Sequence, residues 1–233
     1  MVEIRNPGFD RSETQSLPGS VKLYHRHLIV CTGRADWPER IELDGAFIQA
    51  LWEAITSRAP DTPLTVKLTA CDEVSTRPGH DILVFPDQVR YMGVQKRDFS
   101  ALVEDHLVGN RVSDQIQYQR LRGQHIFVCV HGERDERCGA CGPPLVGGFI
   151  AALEARGRAD QVAVRQSSHV GGHKYAGNVL VYPSGDWYGH VTPADVPRIV
   201  DQHIVRDEIV WDLWRGRIGL SPDDQVKMQR TEQ

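Results

Sequence analysis

The stretch that decides the fold is HLIVC at residues 27–31, because HIFVC at residues 125–129 repeats it 98 residues later. Three further pairs of similar segments follow in the same order, at offsets of 98 or 97 residues. They are VKLTAC at 66–71 with VRQSSH at 164–169, DILVFP at 81–86 with NVLVYP at 178–183, and VEDHLV at 103–108 with VDQHIV at 200–205. Self-similarity at a fixed period is the signature of a repeated structural unit. The sequence therefore predicts an old duplication.

Each copy shows the same succession of hydrophobic patterns. Apolar, β-rich runs at 28–30 and 126–130 predict buried strands. The residues that predict a helix after each run are Phe47, Leu51 and Ile55 in the first copy and Leu145, Phe149, Ala152 and Leu153 in the second, with Pro143 and Pro144 at the helix start. Further strands are predicted at 64–68 and 81–85 in the first copy and at 161–165 and 178–182 in the second. The runs at 81–85 and 178–182 each lead into one more short strand, and closing helices are predicted at 99–107 and 194–204.

The order strand, helix, strand, strand, strand, helix predicts an α/β fold with one mixed sheet in each copy. The chain then divides into a flexible segment over residues 1–20, a first unit over 21–115, a second unit over 120–220 and a loose tail over 221–233. Trp211 and Trp214 are predicted on an additional C-terminal helix that covers a sheet edge.

Composition narrows the class of protein and its partners. The chain of 233 residues has 40% hydrophobic and 25% charged residues, which is ordinary for a globular protein. Its net charge of -4 gives no reason to expect nucleic acid or an anionic membrane as partner. No apolar run approaches the roughly 18 residues of a membrane span, and the first residues lack the apolar core of a secretory signal. Five cysteines, an odd number, favour a reducing compartment. We therefore expect a cytoplasmic protein, with the nucleus or an organelle left open.

The second copy carries the residues with chemistry. Cys129, Cys138, His169 and His173 offer two thiolates and two imidazoles, a donor set that suits zinc or an iron–sulfur cluster. The spacing of His169 and His173 lets both rings reach one centre. The interval between the two cysteines is longer than the Cys-x2–4-Cys pairs usual at zinc sites. A loop of that size suits a wider object, such as a cluster of two irons.

The first copy offers an internal comparison. At the offset of 98 residues, Cys31 takes the place of Cys129 and Cys71 takes the place of His169. Two ligands of four cannot hold a cluster firmly, so we expect no metal in the first unit. Cys31 and Cys71 are expected to be buried core thiols, since free cysteine packs as a small hydrophobic residue.

Three stretches resemble the sucrase/ferredoxin-like family, over roughly residues 20–220. They are LYHRHLIVCTGRADWPERIE at 23–42, VCVHGERDERCGACGPPL at 128–145 and SSHVGGHKYAGNVLVYPSGDWYGHVTPADVPRIVDQHI at 167–204. The resemblance implies two thioredoxin-like units and a [2Fe-2S] cluster. In one branch of the family, related to an actin-patch protein, two Cys and two His bind the cluster, and that pattern falls here on Cys129, Cys138, His169 and His173.

The function that the resemblance implies is one-electron transfer or redox sensing, with an unidentified redox partner protein. Neutral imidazoles in place of two thiolates raise the reduction potential of such a cluster. The sucrose cleavage in the family name requires two opposed carboxylates, and no such pair stands out in the sequence. We expect no nucleic-acid or membrane partner.

Two alternatives stay open. Cys138 and Cys141 form a Cys-x2-Cys pair at the start of a helix, where thiol pKa values fall, so a thiol–disulfide oxidoreductase is one alternative. A structural zinc protein is the other. Other polar residues receive supporting roles: His131 and His190 hydrogen-bonded near the site, His106 and His203 packed on the closing helices, Arg134 paired with Asp135, and Arg137 facing solvent.

Overall fold

The computed structural model describes residues 16–58 and 65–232. Residues 1–15 of the predicted flexible segment, and Leu64 of a predicted strand, lie outside the described residues. The strands are β1 Arg26–Cys31, β2 Val66–Cys71, β3 His80–Phe85, β4 Val89–Val94, β5 Tyr118–Arg120, β6 Gln124–Cys129, β7 Val162–Ser167, β8 Val179–Tyr182, β9 Asp186–Tyr188 and β10 Trp214–Arg217. The helices are α1 Gly45–Arg58, α2 Phe99–Ala101, α3 Glu136–Glu154, α4 Val196–Ile199 and α5 Pro222–Glu232.

The two units share one topology. In the first, β1 pairs parallel with β2 and antiparallel with β3, and β4 then joins β3. In the second, β6 pairs parallel with β7 and antiparallel with β8, and β9 then joins β8. The predicted α/β class and the order of elements are confirmed in both units. The duplication itself stays a prediction.

The prediction of one separate sheet for each unit is wrong, because the two join into a single ten-stranded sheet. Its strand order is β10-β9-β8-β6-β7-β2-β1-β3-β4-β5. The junction is an antiparallel contact of β2 with β7, where Cys71 faces Ser167. Ala70 and Ser168 add two hydrogen bonds of 2.9 Å beside it. Pairing of β2 with β7 satisfies backbone groups that two sheet edges would otherwise expose.

The sheet folds over on itself, so that one face of each unit is packed against the other. Phe85 in β3 stacks on Tyr182 in β8 with ring centroids 4.2 Å apart, although four strands separate β3 from β8 in the sheet order. The Tyr182 hydroxyl also lies 2.7 Å from Nδ1 of His27. This inner layer contains Cys31, Cys71, Cys129 and Cys138, whereas a second apolar layer packs beneath the helices.

The helix that follows β6 begins earlier than predicted. α3 starts at Glu136, and the side chain of Asp135 caps it by accepting the backbone N–H of Arg137 at 3.1 Å. Pro143 and Pro144 therefore lie inside the helix and not at its start. The prediction placed the start at the prolines and missed the aspartate cap.

The closing helices are confirmed at matching places but have an unpredicted form. α2 and α4 each continue as a π-helix, Leu102–Val108 and Val200–Val205. The buried rings of His106 and His203 lie in these π-helices, and each hydrogen-bonds a tyrosine hydroxyl, that of Tyr91 at 2.7 Å and of Tyr188 at 2.5 Å. The two histidines thus fix the closing helices to β4 and β9.

The C-terminal predictions are wrong in two respects. Trp211 lies in a turn and Trp214 begins the edge strand β10, so neither lies on a helix. Nε1 of Trp214 donates to the buried Asp186 at 2.7 Å and draws the segment onto β9. The tail predicted to be loose forms α5, whose buried Gln225 donates to the carbonyl of Val21 at 3.1 Å. Among the described residues, no helix combines the length and apolarity needed to cross a bilayer.

Candidate metal centre

The two candidate cysteine ligands meet where β6 ends and α3 begins. Cys129 is the last residue of β6, Cys138 lies in the first turn of α3, and both side chains are buried. The two thiols lie close enough for each to shift the pKa of the other. The close approach needs glycine, since a Cβ on Gly139 would lie 2.7 Å from Cα of Gly132. The HGERDERCG stretch thus closes tightly enough to bring the two sulfurs together.

The two candidate histidines lie on the loop that follows β7. The ring centroids of His169 and His173 are 6.0 Å apart. Gly172 between them has φ +73°, and a Cβ there would overlap the guanidinium of Arg215. Glycine at position 172 therefore permits both the left-handed backbone conformation and the close approach of the Arg215 side chain.

The histidine loop contacts the cysteine pair. Hydrogen bonds from the Cys138 thiol, from His169 and from the backbone of Val170 and His131 hold the pKa of the Cys129 thiol well below its ordinary value. The same thiol–thiol hydrogen bond raises the pKa of Cys138. The two thiols therefore ionise as a pair, and the first proton leaves more readily than the second.

One ring nitrogen of His169 is unusual in its surroundings. Its Nδ1 is buried and has no hydrogen-bond partner in the part of the chain that the structure describes. Buried polar atoms normally have a partner, because leaving one unpaired is costly. An unpaired ring nitrogen of this kind is available as a metal ligand.

His131 positions the histidine loop and was only partly anticipated. Its Nδ1 accepts the backbone N–H of His169 at 3.0 Å, so the ring proton lies on Nε2, which donates to the carbonyl of Trp37 at 3.0 Å. The predicted hydrogen-bonded role is confirmed. Because Trp37 belongs to the first unit, that unit fixes the backbone at a candidate ligand of the second.

Two cations at the centre were missed by the sequence analysis. Arg215 is 1% exposed, and burial lowers its pKa to about 10, against attraction from Tyr175, Cys129 and Cys138. Burial, with repulsion from Arg215, lowers the pKa of Lys67 to about 8, and its Nζ donates to the carbonyl of Val170 at 2.7 Å. Both cations lie far from the ligands in sequence, so no spacing could reveal them.

Asn178 links Arg215 to the histidine loop. Its Oδ1 accepts from Nη1 of Arg215 at 2.5 Å, and its Nδ2 donates to the carbonyl of Gly172 at 3.1 Å. The signal for Asn178 was present in the sequence, because it closes the family-like stretch SSHVGGHKYAGN. Its role depends on the contact with Arg215, which forms only when the chain is folded.

The ion pairs of the cysteine loop differ from the prediction. Asp135 pairs with Arg137, at 2.9 Å and 2.8 Å, and not with Arg134. Arg134 instead reaches Glu39 of the first unit at 2.9 Å. The reason is local: as the helix cap, Asp135 already faces the backbone N–H of Arg137.

Cys141 differs from the ligand candidates in burial and chemistry. It is partly exposed, and burial is the main cause that raises the pKa of its thiol. A reactive dithiol needs a lowered thiol pKa at its exposed cysteine. The arrangement of Cys138 and Cys141 lacks that feature.

The four candidate ligands do not converge on a single point. Within residues 16–58 and 65–232, no three His, Cys, Asp or Glu side chains lie close enough together to hold one metal ion. The thiols form one pair and the imidazoles another, joined through the contact of Cys129 with His169.

The strand registers of the two units change the predicted match of Cys71 with His169. In β1 and β2, Cys31 faces Cys71, whereas in β6 and β7 Cys129 faces Ser167. Cys71 therefore takes the place of Ser167 and not of His169, a shift of two residues. The first unit retains only Cys31 of the four candidates. The predicted burial of Cys31 and Cys71 is confirmed, with their sulfurs 3.8 Å apart.

A profile described as sucrase/ferredoxin-like matches residues 17–216. The chain belongs to this family. Altered inheritance of mitochondria protein 32 of Meyerozyma guilliermondii is 28% identical over 247 aligned residues, which cover 91% of this chain and 86% of that protein. Actin patches distal protein 1 of Saccharomyces cerevisiae is 31% identical over 152 residues, covering 55% of this chain and 48% of that protein. The resemblance found in the sequence is thereby confirmed.

A solved structure is similar to a part of this chain. It is a thioredoxin-like [2Fe-2S] ferredoxin from Aquifex aeolicus, 25% identical, covering 43% of this chain and 96% of its own, with a TM-score of 0.37. The Meyerozyma protein aligns with most of this chain, whereas the ferredoxin aligns with less than half of it.

Proposed function

We propose that the second unit holds a [2Fe-2S] cluster on Cys129, Cys138, His169 and His173, and that the protein transfers or senses single electrons together with a redox partner protein in the cytoplasm. The observation that carries the proposal is the buried thiol pair in contact with His169, whose Nδ1 has no hydrogen-bond partner among the described residues. A ligand bond at that imidazole would satisfy the unpaired nitrogen.

The division of the donors into two pairs favours two irons over one zinc ion. A structural zinc site brings four donors to a single ion, and no three donors do so among the described residues. A two-iron cluster can take its cysteines on one iron and its histidines on the other, as in Rieske centres. Cys129 with Cys138, and His169 with His173, match that division.

The residues around the pairs prepare them for ligation and set the local charge. The lowered pKa of Cys129 supplies one thiolate before any metal binds, and ligation removes the proton of Cys138. His131 fixes the backbone at His169. When bound, the cluster supplies one-electron chemistry. Lys67 and Arg215 place positive charge near the sulfurs, which favours the state with an added electron.

The thiol–disulfide alternative is less well supported. Its two cysteines, Cys138 and Cys141, both have raised pKa values, from the hydrogen bond with Cys129 in one case and from burial in the other. Neither is an activated nucleophile. The arrangement also leaves the paired histidines without a role.

The test is spectroscopy of anaerobically purified protein before and after dithionite. We expect visible absorption, two irons for each chain and a paramagnetic signal on reduction. Colourless protein with stoichiometric zinc contradicts the proposal, as does colourless, iron-free protein after reconstitution. Cys141→Ser is the matched control and should keep the spectrum. Loss of the spectrum in that variant would instead make Cys141 a ligand.

A further inference from the structure

A pocket of about 510 Å³ opens beside His169 and His173. Five cationic side chains from both units line it: Lys22, Lys67, Arg134, Lys174 and Arg215. Among the described residues that line the pocket, none is an aspartate or a glutamate. Arg134 is paired with Glu39 outside this lining, but the other four leave the pocket positive, although the chain as a whole carries a net charge of -4.

The buried Arg215 and the partly buried Lys67 of this pocket differ from other cations that are buried or partly buried. Three arginines elsewhere each pair with a carboxylate: Arg90 with Asp81, Arg165 with Glu73, and Arg217 with Asp186. Within residues 16–58 and 65–232, neither Arg215 nor Lys67 has a carboxylate within 4.0 Å. Buried charges are normally paired. These two cations lack an anion of their own.

Both cations are held in place. Nε of Arg215 donates to Oγ of Ser20 at 3.0 Å, and its guanidinium lies 4.3 Å from the ring centroid of Tyr175. Lys67 lies 5.3 Å from the ring centroid of Trp187 and donates to the carbonyl of Val170. Groups that are already ordered lose little freedom when a ligand binds. The charges are thus preorganised around the pocket.

We propose that this pocket binds a small anion with two or more negative charges, carried by phosphate or carboxylate groups. Its volume lies within the range of small-molecule sites, roughly 300–1,000 Å³, and Lys and Arg are the usual partners of both groups. The bound anion would lie next to the histidine pair. If the proposed function holds, its charge opposes an added electron at the centre, so anion binding and reduction weaken each other by the same factor.

The test is calorimetric titration of pyrophosphate and, separately, citrate into the anaerobically purified full chain at constant ionic strength. We expect saturable binding of at least one anion, and the two arms separate phosphate from carboxylate. Lys67→Gln should weaken binding about tenfold, the loss of one charge-assisted hydrogen bond. Lys227→Gln, on the exposed face of α5, is the matched control and should bind as the unchanged protein does.

Because Lys67 also holds the Val170 carbonyl, Lys22→Gln at the exposed rim provides a second variant and should weaken binding several-fold. The proposal is overturned if neither anion binds, if all three variants bind equally, or if only an acidic partner protein binds. The visible spectrum of each sample separates the two proposals. Anion binding by iron-free protein contradicts only the proposed function, and an intact cluster spectrum without binding contradicts only the anion site.

Discussion

Cys31 and Cys129 end equivalent strands of the two units, and their thiols have opposite properties. Hydrogen bonding to Cys71 and burial raise the pKa of Cys31, and the charge of Glu73 adds to the effect. The Cys138 thiol, His169 and two backbone groups lower the pKa of Cys129. The same strand end therefore holds a thiol whose ionised form is disfavoured in one unit and favoured in the other. The loops that follow make the difference.

A second pair of matching residues shows how those loops diverged. Asp81 immediately precedes the strand run of β3 that faces β1, and Asn178 precedes the matching run of β8. Asp81 accepts from Arg90 at 2.7 Å, an ion pair within its own unit. Asn178 is neutral and leaves the charge of Arg215 uncompensated. The first unit uses its polar residues for its own stability, whereas the second keeps positive charge beside the candidate ligands.

The largest expected effect is a difference in bound iron between variants of the two strand-end cysteines, Cys129 and Cys31. Cys129→Ser should abolish the visible spectrum and the bound iron, because it removes a proposed ligand. Cys31→Ser, at the matching place, should retain both. Iron content and absorption of the two anaerobically purified variants provide the measurement. Equal iron content in the two variants would contradict the difference between the units.

The next effect concerns the ion pair of the first unit. Asp81→Asn should cost about 2–3 kcal/mol of unfolding free energy at pH 7, because the buried Arg90 loses one of its two carboxylate partners and keeps only Glu73. Burial would raise the pKa of Asp81, but hydrogen bonds from Thr76, Gly93 and Arg90 outweigh it and lower the pKa. The stabilisation is therefore present above the unfolded pKa of about 3.9 and is lost as pH falls through the lower folded value.

Urea unfolding at pH 7 and at pH 3 measures this difference. The unchanged protein and Asp81→Asn should approach each other in stability at the lower pH. The exposed Asp223→Asn serves as control and should follow the unchanged protein at both values. A constant gap between Asp81→Asn and the unchanged protein would show that the ion pair does not titrate as described.

A smaller effect is expected where the first unit braces the second. His131→Leu leaves the N–H of His169 and the carbonyl of Trp37 without their partner. An unsatisfied buried group costs about 1–3 kcal/mol. Unfolding free energy should fall by that amount, and iron should be lost to a chelator faster than from the unchanged protein. Unaltered stability and iron loss would show that the brace is not needed.

The smallest effect is expected at the surface contact between the units. The ion pair of Arg134 with Glu39 is exposed, with Glu39 at 69%. Glu39→Ala should therefore change the unfolding free energy by less than about 1 kcal/mol. Urea unfolding at low and at high salt provides the check. A loss as large as that of Asp81→Asn would place the main contact of the units at this pair.

Much of the second unit follows from its local sequence. The apolar runs predict β6 and β8, and the donor types predict a site in which Cys129 interacts with Cys138 and with His169. Glycines beside the ligands predict the close approach at Gly139 and Gly172. The prediction failed where sequence similarity and strand register point to different partners. The sequence of β2, VKLTAC, resembles VRQSSH, but the equivalent strand β7 is VAVRQS, which begins two residues earlier.

The amino-acid sequence by itself determined the strands that the two units share, the order of elements and the family, because hydrophobic period and short motifs are local properties of a chain. Only the tertiary structure decided that the two units share one folded sheet, and that Lys67, Trp37 and Arg215 lie beside the candidate ligands. These residues are far apart along the chain. Their contacts depend on the pairing of β2 with β7 and on the packing of one sheet face against the other, which no local pattern encodes.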